Sequence, residues 1–241
     1  MIRKFIVKEN DIVNINDKFI KISGEEVRHI QVLRFDVGDE IIINKNQYVI
    51  SEMRKNEIVL EFEKEAEERG VPSVNVTVYI SLLKNNNLDL AIKKCVEIGA
   101  KKIVPFSSKN TIVKLTDKDK PKRVEKFKKI VEEACKQCGR TDDIEVDMIQ
   151  DLKAINFEEP KVLFAYEASK DSLRNEINDI KEKSIKDIGI IIGPEGGFDS
   201  KEVEYLKQKD NIVEVSLGSR ILRAETAALN LLSIVLYEME L

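Results

Sequence analysis

Three of the ten glycines in the chain fall within the five positions 193–197. The run Ile188–Ile192 that leads into them shows no polar alternation, which predicts a β-strand that is buried on both faces. Ligands of open α/β sheets bind beyond the carboxyl ends of the strands. Because glycine tolerates positive φ and lets main chain approach a ligand closely, we predict a binding loop here. The alternative is a tight turn that needs glycine for its own conformation.

This glycine loop does not have the sequence of a phosphate-binding loop. The segment "GPEGGFDSKE" matches neither G-x-G-x-x-G nor the P-loop pattern, since no Lys-Ser or Lys-Thr pair follows the glycines. Glu195 would in addition repel a phosphate. A helix is predicted to follow directly, because Asp199 and Glu202 have the spacing of a capping box and Phe198 can pack on Val203 as a hydrophobic staple.

A second loop with a glycine follows another predicted strand, in "IVEVSLGSR". It leads into a helix whose first residues include Arg223, Glu225 and Thr226. Two glycine-bearing loops at the ends of two buried strands can enclose one flat ligand. Arg220 and Arg223, three positions apart beside a pocket lined by main chain, could hold an anion or the carbonyl group of a base.

The elements that carry these loops alternate between strand and helix after residue 70. Strands are predicted in "VNVTVYISLL", "KIVPFSS", "KVLFAYE", "DIGIIIG" and "IVEVSLG". Helices are predicted in "LDLAIKKCVEIG", "PKRVEKFKKIVEEACKQCG", "KEVEYLKQK" and "RAETAALNLLSIVLYEME". Gly99 and Gly139 are placed to end two of the helices, and Pro121 suits a first turn. The alternation predicts an α/β fold with a mostly parallel sheet.

The first 70 residues are instead rich in short β segments. Strands are predicted in "KFIVKE", "KFIKIS", "EIIINK", "YVISEMR" and "EIVLEFEK". One helix interrupts them, in "SGEEVRHIQVLR", where Ser23 and Glu26 have the spacing of a capping box. Several short strands with one small helix predict a compact β-barrel. Gly70 and Pro72 mark a linker, so we predict two domains, 1–70 and 71–241.

Charge is distributed unevenly along the chain. The formal net charge is −4, which argues against indiscriminate binding of nucleic acid. Residues 101–140, however, hold 13 Lys and Arg against 5 acidic residues, a local net charge of +8. Residues 1–70 hold 12 basic against 15 acidic residues, a net charge of −3. The basic region predicts either RNA contact at a defined place or a solvated helix face.

Three cysteines and a single histidine limit the available chemistry. Cys135 and Cys138 form a C-x-x-C at the end of a predicted helix, with Cys95 as the third cysteine, so we predict packing roles and no metal site. His29 would have to reach across domains to serve a Ser-His-Asp or Cys-His arrangement, so a structural or RNA-facing role is predicted. The odd cysteine count, the absence of a signal-like apolar start and the lack of any apolar run of about 20 residues predict a cytoplasmic protein without a membrane span.

The two C-terminal loops together resemble the signature of a known family. "GPEGGF" at 193–198 and "LGSRILRAETA" at 217–227 are similar to the paired motifs of the bacterial small-subunit ribosomal RNA uracil-N3 methyltransferases, members of the SPOUT superfamily. "HIQVLR" at 29–34, "KKCVEIGAKKIVPFSS" at 93–108 and "EEACKQCGR" at 132–140 resemble further family motifs, so the likeness covers nearly the whole chain. Lys136 stands where the family usually has glutamate, and 107–111, "SSKNT", lacks the arginine commonly seen there.

The resemblance implies a fold and a cofactor. The fold would be α/β, with a C-terminal, mostly parallel methyltransferase domain tied in a deep trefoil knot and a small N-terminal PUA-like β-barrel. S-adenosylmethionine would lie bent in the knot, its adenine held by main chain of 193–197 and 216–222. The cofactor-binding residues implied are Gly193, Pro194, Glu195, Gly196, Gly197, Leu217, Gly218, Ile221, Leu222 and Thr226, where Thr226 could instead cap the last helix.

The reaction implied is methyl transfer to N3 of a uridine in 16S ribosomal RNA. The imide nitrogen becomes a nucleophile only as its proton leaves, so the enzyme must align two ligands and stabilise charge on the flanking carbonyl oxygens. Arg220 and Arg223 are the predicted sources of positive charge. Glu225 or Glu195 could accept the proton or orient the base. The target base must be unpaired or flipped.

The implied partners are 16S rRNA or the 30S subunit and a second copy of the chain, since family members are homodimers. The candidate RNA-binding residues are Arg28, His29, Arg34, Lys84 and Arg140. Two alternatives stay open at this stage. One is a knotted methyltransferase acting on a different nucleoside or atom, and the other is a non-catalytic RNA-binding or ribosome-assembly factor, which would have no need for the paired loops with Arg223, Glu225 and Thr226.

Overall fold

The structure is a computed structural model and describes residues 3–67 and 70–240. The chain forms two compact units, of which the first comprises Met1–Val71 and Cys135–Asp142 and the second comprises Pro72–Ala134 and Asp143–Leu241. The predicted division into 1–70 and 71–241 therefore differs at 135–142. This segment belongs with the first unit because the Lys4 side chain donates a hydrogen bond to the Thr141 carbonyl oxygen at 2.8 Å.

The first unit contains a six-stranded sheet. Its strand order is β1-β4-β5-β6-β3-β2; β1 and β4 are parallel and the other neighbours are antiparallel. Five of the strands were predicted, whereas β2 is too short to show a period in the sequence. The strands are β1 (Arg3–Phe5), β2 (Ile12–Asn14), β3 (Phe19–Ser23), β4 (Glu40–Ile43), β5 (Asn46–Met53) and β6 (Glu57–Glu65).

Helix α1 (Glu25–Val32) packs on this sheet through Val27 and Ile30. The predicted capping box at its start is wrong. The residue before the helix is Gly24, and no side chain caps the helix. Ser23 is committed to the pairing of β3 with β6, and its hydroxyl group donates to the carbonyl oxygen of Asp11 at 3.4 Å.

The second unit is an α/β layer structure around a parallel sheet. All its strand pairs are parallel, in the order β10-β8-β7-β12-β11-β13 with β9 beside β8, which confirms the predicted α/β class. The sequence did not reveal β9 and β10, which are two residues each. The strands are β7 (Asn75–Ser81), β8 (Lys102–Ser107), β9 (Glu145–Val146), β10 (Gln150–Asp151), β11 (Lys161–Ala165), β12 (Asp187–Ile192) and β13 (Ile212–Val215).

Five helices accompany this sheet, and the last turn of one of them lies in the first unit. Gly99 and Gly139 follow two of the helices with φ of 136° and 77°, as the predicted helix ends require. Helix α4 was not predicted. The helices are α2 (Asn87–Ile98), α3 (Asp119–Cys138), α4 (Leu173–Glu182), α5 (Ser200–Lys207) and α6 (Ala224–Glu240).

Strand β12 lies between β7 and β11, in the interior of the sheet. The five residues 188–192 are all buried, as the unbroken apolar run predicts. Each buried isoleucine side chain contributes about 1.5–3 kcal/mol through its removal from water. The strand therefore fixes where the glycine loop begins. Within the described residues, no helix is both long enough and apolar enough to span a membrane.

Candidate functional site

The carboxyl ends of β11, β12 and β13 border one cavity of about 470 Å³. Because β11 is paired in parallel with both β12 and β13, the three chain segments that follow these strands leave the same edge of the sheet. The start of α6 closes one side. The lining comprises residues 165–167, 192–198 and 216–224, together with Ala227. Both loops that the sequence singled out therefore meet in one place.

Most of the predicted cofactor-binding residues line this cavity. The lining includes Gly193, Pro194, Glu195, Gly196, Gly197, Leu217, Gly218, Ile221 and Leu222. Thr226 is not among the lining residues. It is exposed and lies inside α6, which begins at Ala224, so its alternative role as a helix cap is wrong.

Two of the three predicted catalytic residues border the cavity. Arg220 and Arg223 line it and are exposed to solvent. Glu225, which follows Ala224 in the first turn of α6, does not line the cavity. Its Oε2 atom is buried and has no hydrogen-bond partner among the described residues. The structure thus brings the two arginines to the cavity. It leaves one carboxylate oxygen of Glu225 without a hydrogen-bond partner among the described residues.

The glycine loop requires glycine at two of its positions, at Gly193 for space and at Gly197 for its backbone conformation. A Cβ on Gly193 would lie 2.4 Å from Cε2 of the Phe198 ring, a separation that side chains do not tolerate. Gly197 has φ of 68°, and its amide donates to the carbonyl oxygen of Pro194 at 2.9 Å, which closes a turn. At Gly193, Gly196 and Gly197 the cavity is consequently lined by main chain, beside Pro194, Glu195 and Phe198.

Helix α5 begins with the predicted capping box. Asp199 accepts from the amide of Lys201 at 3.2 Å, and the Glu202 side chain accepts from the amide of Asp199 at 3.0 Å. A hydrogen bond from the Lys109 side chain holds the pKa of Asp199 below its usual value, although partial burial acts in the other direction. Val203 belongs to an apolar cluster, and the half-buried Phe198 packs against that cluster, where the predicted staple would place it.

The carboxylate of Glu195 is held from outside the loop. Its Oε1 atom accepts a hydrogen bond of 2.9 Å from the main-chain amide of Lys84, which lies just after β7. Glu195 therefore fastens the glycine loop to the neighbouring strand connection. The Lys84 side chain is exposed.

The residues at the end of β11 were missed as part of the site. Tyr166 and Glu167 line the cavity, and Oε1 of Glu167 lies 3.2 Å from the position that a Cβ on Gly197 would occupy. The signal was available, because "KVLFAYE" was predicted as a strand and its last residues stand at the carboxyl end. The sequence did not show that β11 pairs with both β12 and β13, the two strands that lead into the glycine-bearing loops.

Four of the five candidate RNA-binding residues have at least a half-exposed side chain. Arg28 and Arg34 are exposed, as is Lys84, while His29 is half-buried, with Nδ1 3.0 Å from Oε2 of Glu26. Arg140 is 2% exposed, and its guanidinium forms two hydrogen bonds with Asp142, of 3.0 and 2.7 Å. Because a phosphate contact requires an accessible guanidinium, we remove Arg140 from the set.

The cysteines are placed as packing residues. Cys95 and Cys135 are buried and Cys138 is half-buried, all as free thiols. Burial raises the pKa of Cys95 to about 12 and that of Cys135 to about 11, which disfavours the reactive thiolate. Among the described residues, no group of three His, Cys, Asp or Glu side chains is arranged to hold a metal ion.

Comparison with known proteins identifies a family. The model of the RNA methyltransferase domain matches residues 71–236. The ribosomal RNA small subunit methyltransferase E of Bacillus subtilis is 34% identical over 237 residues, which cover 91% of this chain and 90% of that protein. The protein of the same name from Mesomycoplasma hyopneumoniae is 30% identical over 235 residues, which cover 95% of this chain and 97% of that protein.

Two solved structures are similar to this chain over almost its whole length. A ribosomal RNA small subunit methyltransferase E from Neisseria gonorrhoeae, in a crystal structure with bound S-adenosyl methionine, superposes with a TM-score of 0.80 at 25% identity and covers 97% of this chain and 96% of its own. The crystal structure of a hypothetical protein superposes with a TM-score of 0.83 at 28% identity and covers 99% of both chains.

Replacing Gly193 by Ala should destabilise the protein by about 1–3 kcal/mol, the usual cost of overpacking. The added Cβ collides with the half-buried Phe198 ring, whose movement is limited because it packs against the apolar cluster and edge-on against Phe164. Urea denaturation measures the change. In a Phe198→Leu background, which removes the colliding ring atoms, the same substitution should cost clearly less. An equal cost in both backgrounds would show that the collision is not the cause.

Thiol labelling tests the packing role of the cysteines. In the native protein at pH 8, iodoacetamide should modify Cys138 first, because Cys95 and Cys135 are buried and their raised pKa values keep them protonated. Peptide mass spectrometry gives the order, and labelling in urea should make all three equally accessible. Rapid modification of Cys135 in the folded protein, or its ready oxidation to a disulfide with Cys138, would contradict a pure packing role.

Proposed function

Because the chain belongs to the ribosomal RNA small subunit methyltransferase E family of RNA methyltransferases, we propose that it transfers a methyl group from S-adenosylmethionine to N3 of a specific uridine in 16S ribosomal RNA. The observation that carries the proposal is the cavity at the carboxyl ends of β11, β12 and β13, enclosed by the two glycine-bearing loops. The family gives the reaction class, and the cavity gives this chain a place for the methyl donor.

The residues of the cavity fit S-adenosylmethionine in size and in charge. A volume of about 470 Å³ lies within the range of small-molecule sites. Main-chain amides and carbonyls of the loops suit the edge of a flat adenine, and the glycines allow a close approach. The donor carries a cationic sulfonium and an amino-acid group, and the lining offers both signs of charge, from Glu167 and from Arg220. When bound, S-adenosylmethionine supplies the electrophilic methyl group.

Charge stabilisation by the two arginines is the main catalytic contribution that we propose. The uracil N3 loses its proton and attacks the methyl carbon in line, so that the N–C bond forms as the C–S bond breaks. Negative charge that develops on N3 spreads to the flanking carbonyl oxygens. In this proposal Arg220 and Arg223, which line the cavity and are exposed, pair with those oxygens.

Both glutamates stay candidates for the proton acceptor, of which Glu195 lines the cavity and Glu225 does not. Glu195 already accepts a hydrogen bond from the amide of Lys84 and faces that connection. The Oε2 atom of Glu225 is buried and has no partner among the described residues, so this carboxylate carries an unused acceptor next to Ala224, which lines the cavity. A buried, unsatisfied acceptor is costly and in native proteins usually serves a bound group.

The finer architecture also belongs to this proposal. We infer a deep trefoil knot, because the chain passes from the edge strand β13 through the loop at 216–223, beside the glycine loop, into α6, which packs back on β7 and β12. We infer that the six-stranded first unit is a PUA-like barrel that binds RNA. A homodimer in the cytoplasm completes the proposal, on the resemblance to the family.

Contacts to RNA are proposed for the exposed residues of the predicted set. Arg28 and Arg34 in the first unit and Lys84 in the second can each reach a phosphate, since none of these side chains is buried. His29 is retained as a weaker candidate because Glu26 and Phe5 already contact its ring. Phosphate contacts position the RNA, and the uridine is then selected by the cavity itself.

The deciding experiment is transfer of tritium from labelled S-adenosylmethionine to 30S subunits and to deproteinised 16S RNA, both from cells that lack this protein. We expect label in 3-methyluridine after nucleoside digestion. Arg223→Ala should lower the rate about 10²–10³-fold, the usual effect of removing one group that stabilises transition-state charge, while the affinity for the cofactor changes little.

Arg174→Ala is the matched control, since Arg174 is exposed on α4 and does not line the cavity. Its rate should equal that of the unchanged chain. Label in another nucleoside would replace the proposed target with a different base. Cofactor binding without transfer to either RNA would contradict the proposed substrate, and no cofactor binding at all would favour the assembly-factor alternative. Full activity of Arg223→Ala would refute its assigned role.

A further inference from the structure

The four residues after β8 form a rigid turn, here called the 108–111 turn. The amide of Thr111 donates to the carbonyl oxygen of Ser108 at 3.1 Å, and the amide of Ser108 donates to Oγ1 of Thr111 at 2.8 Å. Oγ1 of Thr111 also lies 3.0 Å from the hydroxyl oxygen of Ser81, which is fully buried at the end of β7. Two hydrogen bonds therefore close the turn, and one buried hydrogen bond, which is costly to break, fixes it to the sheet.

Asn110 extends from this turn to the glycine loop. Its side-chain nitrogen donates to the carbonyl oxygen of Gly196 at 3.2 Å and to that of Gly197 at 3.1 Å. The approach is close, because a Cβ on Gly196 would lie 3.2 Å from both Cβ and the carbonyl oxygen of Asn110. Both hydrogens of one amide group thus hold two consecutive peptide units of the loop.

Lys109 holds the exit of the same loop. Its main-chain amide donates to Oε1 of Glu202 at 2.8 Å, and its side-chain nitrogen lies 2.5 Å from Oδ2 of Asp199. Glu202 is 6% exposed, and its other oxygen accepts from the amide of Asp199. The turn therefore contacts the loop at its centre and at the first residues of α5.

None of these holding groups belongs to the cavity lining. Ser108, Lys109 and Asn110 are absent from the lining, whereas Gly196 and Gly197 are part of it. The 108–111 turn consequently contacts the loop away from the cavity and directs two of its carbonyl groups toward Asn110. A glycine loop without such contacts has many accessible conformations, and a ligand would have to order them on binding.

We propose that Asn110 is a positioning residue that pre-organises the glycine loop for S-adenosylmethionine. The inference rests on the proposed function, since it names the cavity's ligand. Asn110 touches neither the donor nor the RNA base and acts through the carbonyl groups of Gly196 and Gly197. Its effect is on cofactor affinity, because ordering the loop in advance removes a cost that binding would otherwise carry.

Isothermal titration of S-adenosylmethionine, and of S-adenosylhomocysteine, into the full-length chain tests the proposal. Asn110→Ala removes both donors and should raise Kd about tenfold, the effect of losing two neutral hydrogen bonds. Asn110→Asp keeps the shape but places a carboxylate against two carbonyl oxygens, so its Kd should rise further. Asn175→Asp makes the same atomic change at an exposed position on α4 and should leave Kd unchanged.

Steady-state methyl transfer separates positioning from general destabilisation. For Asn110→Ala, KM for S-adenosylmethionine should rise about tenfold, while kcat at saturating cofactor stays within threefold of the unchanged chain. A purely structural residue would instead lower the melting temperature and the active fraction, and KM would stay the same. Thermal melting without cofactor should place Asn110→Ala close to the unchanged chain.

Two failures are distinguishable. If Asn110→Asp binds S-adenosylmethionine within twofold of the unchanged chain, the positioning role is overturned and the proposed function stands. If the unchanged chain binds no S-adenosylmethionine, the proposed function fails and this inference fails with it. A fall in kcat with an unaltered KM would also overturn the inference, since it would place Asn110 in the chemical step.

Discussion

The crowding around residues 193–197 is the constraint on which the rest of the site depends. On one side the Phe198 ring leaves no space for a side chain at Gly193, and on the other side Asn110 lies against Gly196. The ring of Phe198 in turn packs edge-on against the ring of Phe164, with 4.9 Å between the ring centroids. The loop is therefore continuous with the apolar core, and its conformation follows from core packing as much as from its own glycines.

The parallel sheet converts this local constraint into a site. In a parallel sheet every strand delivers its carboxyl end to the same edge, so β11, β12 and β13 place three loops side by side without any special contact between them. The interior strand β12 supplies the fixed reference because it is buried on both faces. Its neighbours β7 and β11 provide Lys84 and Glu167, which meet the same loop from two directions.

Local pattern predicted most of the strands and helices and both glycine-bearing loops, because hydrophobic period and capping chemistry are short-range properties. The capping box at Asp199 is one example. At α1 the same rule failed, since Ser23 has the right spacing but is used by a strand. Asn110, Glu167 and the inclusion of 135–142 in the first unit were missed because each depends on a contact between residues far apart in sequence, which no window of the sequence contains.

The net charge of the basic region at 101–140 does not by itself give the number of cations that are available to RNA. Much of the excess at 101–140 is already paired within the protein: Arg123 and Lys126 share Asp89, Lys109 pairs with Asp199, and Arg140 is buried with Asp142. Among the described residues of this region, the exposed lysines without an ion pair include Lys114, Lys118, Lys122 and Lys129.

Unpaired lysines matter for RNA because only a cation that is not already neutralised releases counterions from the phosphate backbone on binding. Lys122 and Lys129 are seven residues apart on α3, so they lie on one face of the helix, two turns apart. That face offers unpaired positive charge to a phosphate backbone. The net charge of the segment therefore overstates its attraction for RNA, and the accessible lysines, not the sum, decide where a ribosomal RNA would lie.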